Sequence, residues 1–441
     1  MSRQLLTLVL LLLAAGANAQ ETPSRTSADV PQSTHAPALT LEHAWAIAAE
    51  RNPMLAATRA AVEASAAREA SASLPPDPRV EIAAMNLSLP ELSDDMPGAM
   101  APSISAMQMI PIAGQLGLNG RIAEQSTQMA DAEAAETWWM LRGRVAEAFY
   151  EIHEADAALE AMRETLAWLQ QFEQVAVTRY TVGGGSQSDV LRAGVEVARM
   201  QADIARMEAM RTSAVARLNA LLGRSATTPV DTVVLPALPD STPDVPTLQA
   251  WAGADRPLLE RGRIALEQAR TRETLARREI WPDLSIGVQY GQRTADMGTE
   301  RMGSVMLGFT VPIFAAQRQL RMRSEARAMQ QMAEAELTDL GVQVAARIVE
   351  LDAALDRARS LVRLYRTEVL PQAEANVTSA LASYRVGSVD FMTLVDAQMG
   401  LNQYRRELAA LVAEYGRTIA DLEMTVGRVL PPATALMVEE P

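Results

Sequence analysis

The stretch RYTVGGGSQSDVLRAG, residues 179–194, has a counterpart in SYRVGSVDFMTLVDAQ, residues 383–398. Tyr180, Val182, Gly183, Leu191 and Ala193 fall opposite Tyr384, Val386, Gly387, Val395 and Ala397 at a constant offset of 204 residues. A repeat at this distance marks a duplicated, domain-sized unit, so the chain reads as two halves of one architecture. In each copy a glycine-containing break separates two long apolar-periodic segments. Each therefore predicts the tip of a helical hairpin.

Working outward, the helix before the first tip reads back to about Gln115, and the one before the second tip to about Ala316. At about 1.5 Å per residue each would span roughly 100 Å. Pro371 lies inside the second and is expected to kink it. Helices follow the tips from Asp189 to Leu222 and onward to Gly427. Shorter helices open each half, Leu41 to Ser73 and Leu248 to Ile280, interrupted at Asn52-Pro53 and Arg256-Pro257. Thr40 is placed to cap the first. Between the short and long helices, RVEIAAMNLSL and SISAMQMIPI flank a Pro/Gly/Asp-rich turn, and LSIGVQYGQ and SVMLGFTVPIF flank a Gly/Asp/Glu loop. These predict two β-hairpins, 78–112 and 283–314.

The expected organisation is a signal peptide (1–19), a flexible leader (20–38) and a first repeat (39–223, tip 183–188). A proline-rich connector (224–247), a second repeat (248–428, tip 387–390) and a C-terminal tail (429–441) follow. Arg3, the apolar run Leu5–Ala15 and the Ala17-Asn18-Ala19 site carry the signal assignment, with Gln20 as mature start. No cysteine adjoins that site, so a lipoprotein anchor is not expected.

Composition narrows the function. Hydrophobic residues make up 49% but aromatics only 4%, as in long helices and coiled coils. Forty Lys and Arg oppose 54 Asp and Glu, a net charge of −14, and no basic block suits nucleic acid. The absence of cysteine excludes disulfides and thiolate sites, and three histidines without ligand spacing disfavour a zinc enzyme. No nucleophile–base set or phosphate loop stands out. Arg142 and Arg144, flanking Gly143, read as a solvated helix face.

The strands alternate. Leu284, Ile286, Val288 and Tyr290 share one face, and Val305, Leu307, Phe309 and Val311 repeat the pattern. This dyad fits a lipid-facing barrel strand, and it fits a half-buried soluble sheet equally well. Four strands cannot close a membrane barrel, whose smallest forms have about eight. In lipid, open edges would leave backbone groups unpaired. If the strands enter a membrane the chain must oligomerise: two copies would give eight strands, three would give twelve.

Helix, hairpin, long helix, tip and helix, written twice behind a signal peptide, closely resemble the TolC-type outer-membrane efflux family. The residues carrying the resemblance are Asn52-Pro53 and Arg256-Pro257, Pro76-Asp77 and Pro282-Asp283, and above all VLPQAEANVTSALASYRVGSVDFMTLVDAQ, Val369 to Gln398. The match spans about residues 39–430. It implies a mainly α fold with a membrane β-barrel: a homotrimer in the outer membrane of a Gram-negative bacterium, with a 12-stranded β-barrel and a 12-helix periplasmic α-barrel. It further implies passive export without catalysis or cofactor. The implied partners are outer-membrane lipid, a periplasmic adaptor (membrane fusion) protein and an inner-membrane proton-driven pump of the RND type. A periplasmic adaptor would instead show one hairpin between β-rich domains, and a coiled-coil scaffold would lack the strand pairs.

By the same resemblance the adaptor touches the turns Val182-Gly183-Gly184 and Val386-Gly387-Ser388. The gate falls on Asp189 with Tyr384, on Ser188, and on a constriction formed by Asp396 and Thr393. The basic partner expected for Ser188 is replaced by Val389, so one latch is expected to be missing and the resting pore more weakly closed.

Methionine is frequent, at 23 residues. Met107 and Met109 would place two thioethers on one strand face, a candidate soft-metal pair. Apolar filling is the preferred reading of the methionines. The layout of the first hairpin is nearest the heavy-metal resistance branch of the family, which makes metal-ion export the expectation and drug or general solute export the alternative.

Overall fold

The computed structural model describes residues 39–85, 87, 90, 100–237, 239, 241–295 and 298–431. The signal peptide, the leader, most of the first hairpin loop and the C-terminal tail beyond residue 431 lie outside the described residues.

The first repeat opens with a two-residue strand β1 (Leu39–Thr40) and helices α1 (Leu41–Arg51) and α2 (Pro53–Ala72). The Thr40 side chain caps α1 by accepting from the His43 backbone N–H at 3.2 Å. Strands β2 (Arg79–Met85) and β3 (Met100–Ile110) follow, then α3 (Gln115–Thr181) and α4 (Gln187–Leu221). After the short strand β4 (Val233–Val234), the second repeat runs α5 (Val245–Asp255), α6 (Pro257–Arg278), β5 (Leu284–Ala295) and β6 (Gly298–Phe309). Its long helix is α7 (Gln319–Leu364), a π-helical turn at Tyr365–Val369, and α8 (Leu370–Arg385); α9 (Phe391–Val426) closes it.

The structure adjusts several boundaries. The first tip is shorter than expected, because Gln187 and Ser188 already lie in the first turn of α4 behind the Ser186 cap. Helix α5 starts at Val245, three residues before Leu248, with Pro246 in its first turn, where the missing N–H costs nothing. Residues 315–318 form turns, so α7 begins at Gln319 rather than Ala316. Pro371 is accommodated by the π turn just before it, where the Leu370 N–H reaches back to the Tyr365 carbonyl. A widened turn relieves the clash between the proline ring and the preceding turn.

The connector is not wholly irregular. β4 pairs in parallel with β1, Leu39 opposite Val233 and Thr40 opposite Val234. The pseudo-symmetry also reaches into close packing. Gly223 and Gly427 follow α4 and α9 with φ of +64° and +75°. A Cβ on them would lie 2.3 Å from the Arg51 carbonyl oxygen and 2.7 Å from that of Asp255. Only glycine fits at either place.

The helix starts after Asn52 and Arg256 are satisfied differently. Asn52 caps its own helix, accepting from the N–H groups of Met54 (2.9 Å) and Leu55 (3.3 Å) while donating to the Leu221 carbonyl at 2.7 Å. In the second repeat the first repeat supplies the cap. The buried Glu136 carboxylate on α3 accepts from the Leu258 N–H at 3.1 Å and pairs with Arg256 at 3.3 Å. A carboxylate at a helix N-terminus meets the orphan N–H groups and the positive end of the dipole.

A second cross-repeat lock corrects the expected solvated face at Arg142. Its side chain is only 14% exposed and pairs with Glu423 of α9 at 3.3 Å. Its guanidinium lies 3.7 Å from the Trp45 ring centroid, 5.1 Å from that of Trp139 and 5.9 Å from that of Trp138. The Trp45 indole N–H donates to the Arg142 carbonyl at 3.0 Å. Periodicity marks a charged residue as outward; here three tryptophans and a buried acid give it an inward partner set.

The two hairpins form one antiparallel sheet in the order β2-β3-β5-β6. Leu284 faces Phe309, Ile286 faces Leu307 and Val288 faces Val305 across β5–β6, and Ile104 faces Tyr290 across β3–β5. The expected alternation therefore lines up across strands, and this apolar face is exposed: Ile82, Val305, Leu307 and Phe309 all face outward. Among the described residues no helix is long and apolar enough to cross a membrane.

Candidate functional site at the helical tips

Both tips are built by one recipe with different residues. The preceding helix ends at Val182 or Val386, and Gly183 or Gly387 turns the chain with φ of +78° or +76°. The valines are 76% and 80% exposed, so they project from the tips as unburied apolar knobs. Gly184 and Ser388 are also exposed, and the Ser388 hydroxyl donates to the Ser383 carbonyl at 2.9 Å.

The caps of the departing helices are chemically inverted. At the first tip the Ser186 hydroxyl accepts from the Asp189 N–H at 3.2 Å, and the Asp189 carboxylate accepts from the Ser186 N–H at 3.4 Å. This is a capping box. At the second tip Asp390 takes the serine position and Thr393 the aspartate position. The Asp390 carboxylate accepts from both the N–H (3.0 Å) and the hydroxyl of Thr393. These bonds hold the Asp390 carboxyl below the usual carboxylate range.

Tyr384 and its repeat mate Tyr180 occupy opposite environments. Tyr180 is exposed, whereas Tyr384 is 2% exposed and packs edge-on against Phe391 at 5.7 Å between ring centroids. The residue equivalent to Phe391 is Gln187, so the first tip has no ring to cover its tyrosine. Burial pushes the Tyr384 phenol up; Arg179 opposes this, and the Asp189 carboxylate adds to it. Asp189 is thus an electrostatic neighbour of Tyr384 while its hydrogen bonds with Ser186 serve its own helix.

Arg179 is the residue the repeat comparison does not single out. Its guanidinium lies 4.7 Å from the Tyr384 ring centroid, donates to the Tyr384 carbonyl at 2.8 Å and to the Gly184 carbonyl at 3.0 Å. One side chain so binds both tips. The signal available in sequence is an asymmetry: the second copy carries Ser383 where the first carries Arg179.

Ser188 is exposed on α4 and lines a shallow groove with Leu191, Arg192 and Met392. Val389 packs partly buried against the apolar cluster at the tips, so the position that would carry a basic partner serves the core. Asp396 and Thr393 lie together on an exposed face of α9 and line a second groove with Asn376 and Tyr404. Met107 and Met109 are distant from the tips, both exposed on β3.

Comparison with known proteins agrees with this architecture. The chain is 23% identical over 345 residues to the cobalt-zinc-cadmium resistance protein CzcC of Cupriavidus metallidurans, covering 78% of this chain and 81% of that one. The outer membrane protein VceC of Vibrio cholerae superposes with a TM-score of 0.74 at 18% identity, covering 88% of this chain and 96% of VceC. The open-state MtrE outer membrane channel of Neisseria gonorrhoeae gives a TM-score of 0.72 at 18% identity, over 89% and 90% of the two chains. The outer membrane efflux protein family matches at residues 46–224 and 251–428, one segment per repeat. With both halves matched, and with two exposed tips, one four-stranded sheet and paired long helices, the chain belongs to the outer membrane efflux protein family.

Proposed function

We propose that three copies of this chain close a twelve-stranded barrel in the outer membrane and a twelve-helix tunnel beneath it, and that this conduit passively exports metal ions. The cargo is handed over by an inner-membrane pump through a periplasmic adaptor that docks on Val182-Gly183-Gly184 and Val386-Gly387-Ser388. The observation that carries the reading is the four-stranded sheet. It exposes an apolar face, and its outer strands β2 and β6 each have one neighbour. A lipid-facing sheet with open edges loses several kcal/mol per unpaired backbone group. Joining β6 of one copy to β2 of the next removes every edge. Similarity to a cobalt-zinc-cadmium resistance protein favours metal cargo over drugs.

The test has two parts. Detergent-extracted protein should have the mass of a trimer and form ion-conducting pores in planar bilayers. A deletion strain should become sensitive to heavy-metal salts and regain tolerance from a plasmid copy. A monomer without conductance would overturn the channel; sensitivity to drugs alone would overturn the metal cargo.

A further inference from the structure

The sheet register sorts methionine onto one face. Met107 and Met109 share the face of β3 that carries Ser103 and Ser105. Across β3–β5, Met107 faces Gly287; across β5–β6, Gly287 faces Met306 and Gly291 faces Met302. Met85 reaches the same face, its sulfur 3.9 Å from the Gln289 side-chain nitrogen. Five thioethers therefore lie on the side opposite Ile104, Val288, Val305 and Leu307.

This placement is not that of apolar filler. On the exposed apolar face the large side chains are Ile, Leu, Val, Phe and Tyr, and none of the described ones is Met. On the methionine face the neighbours are Arg79, which lies opposite Met107 and pairs with Glu81 at 3.2 Å, and Ser105, Ser285, Gln289, Ser304 and Gly308. A face otherwise small or polar has no need of an apolar filler, yet its large uncharged apolar groups are all thioethers. Both β6 methionines also sit opposite glycines. A Cβ on Gly287 would lie 3.2 Å from the Met306 methyl, so the Met306 side chain lies over the bare glycine, on the side of Met107. Strands are spaced about 4.8 Å apart, so the glycine row leaves a bridgeable gap between Met107 and Met306.

We propose that this face is a thioether track for soft monovalent cations, Cu(I) or Ag(I), with Met107, Met109 and Met306 as its core and Met85 and Met302 continuing it. Soft sulfur donors prefer such ions over harder divalent ones. Several weak, exchangeable thioether sites in series suit conduction, because an ion must leave as easily as it enters. The inference rests on the channel reading for its meaning, since only a closed barrel makes this face the lumen. The site itself is a property of one chain.

The test uses the full-length protein in detergent, labelled with 13C at the methionine methyls and titrated with Ag(I) or Zn(II). A triple variant, Met107→Leu, Met109→Leu and Met306→Leu, keeps side-chain volume and should fold. The expected result is Ag(I)-dependent shifts of methyl signals in the unaltered protein, Ag(I) affinity weakened at least tenfold in the variant, and no response to Zn(II). Ag(I) affinity that is unchanged in the variant, or equal shifts with Zn(II), would overturn the track. Conductance without any response of these methyls would overturn the track and keep the channel. Ag(I) binding at these methyls without conductance would keep the track and overturn the channel reading.

Discussion

Arg179 and Tyr384, 205 positions apart, hold the two helical tips of one chain together. The guanidinium stacks over the ring and donates to the same residue's carbonyl. Because it also bonds Gly184, one side chain spans both turns. Arg179→Ala should loosen both. Amide exchange at residues 383–388 should rise by about ten- to a hundredfold, the loss of roughly 1–3 kcal/mol of local stability. Arg179→Lys should recover little, because a point charge cannot stack and donate to two carbonyls at once. Exchange confined to the first tip would contradict the link.

Single-channel recording addresses the gate. If Asp189, Tyr384 and Asp396 restrain the pore, Asp189→Ala, Tyr384→Phe and Asp396→Ala should each raise conductance severalfold. Ser186→Ala is the control, since it removes the reciprocal cap of α4 but not the carboxylate, at about 1 kcal/mol. Unchanged conductance in all three gate variants would leave these residues with structural roles only.

The buried lock at Arg142 should respond asymmetrically. Arg142→Ala strands Glu423 and empties the space between tryptophans, at a cost of about 3–5 kcal/mol in chemical denaturation. Burial already pushes the Glu423 carboxyl up, so it resists standing alone as a charge. The double change Arg142→Met with Glu423→Leu should recover much of the loss, because it removes both charges together.

His153 sets a pH dependence. Burial pulls its imidazole below the usual 6.5, against the opposing charges of Asp156 and Glu154. The folded state therefore prefers the neutral ring. Its contribution is full above pH 6.5 and is lost as pH falls through the lowered folded value. His153→Gln should flatten the melting temperature between pH 6.5 and 5. An unchanged slope would assign the acid sensitivity to other groups.

Gly416 tests packing between the long helices. A Cβ there would lie 2.1 Å from the Tyr150 ring, which is fully buried. Gly416→Ala should cost about 1–3 kcal/mol or more, since a close-packed core cannot yield by that distance. Gly341→Ala, where a Cβ meets nothing within 4 Å, should be neutral or stabilising.

The sequence alone carried the duplication, the long helices, the hairpin tips and the strand dyad. These are local or periodic properties, readable from Asn52-Pro53, from the Val-Gly turns and from the alternation through Leu284 to Tyr290. Tertiary structure decided which side chains meet. Glu136 caps a helix of the other repeat, Arg142 turns inward onto three tryptophans, and Arg179 stacks on the tyrosine that the family resemblance pairs with Asp189. It also decided that Tyr384 is buried while Tyr180 is not, because Phe391 covers one and Gln187 cannot cover the other. Register across four strands placed five methionines on one face, which no single strand reveals. Periodicity reports the face a residue occupies; the partner on that face is set by contacts between segments roughly two hundred residues apart.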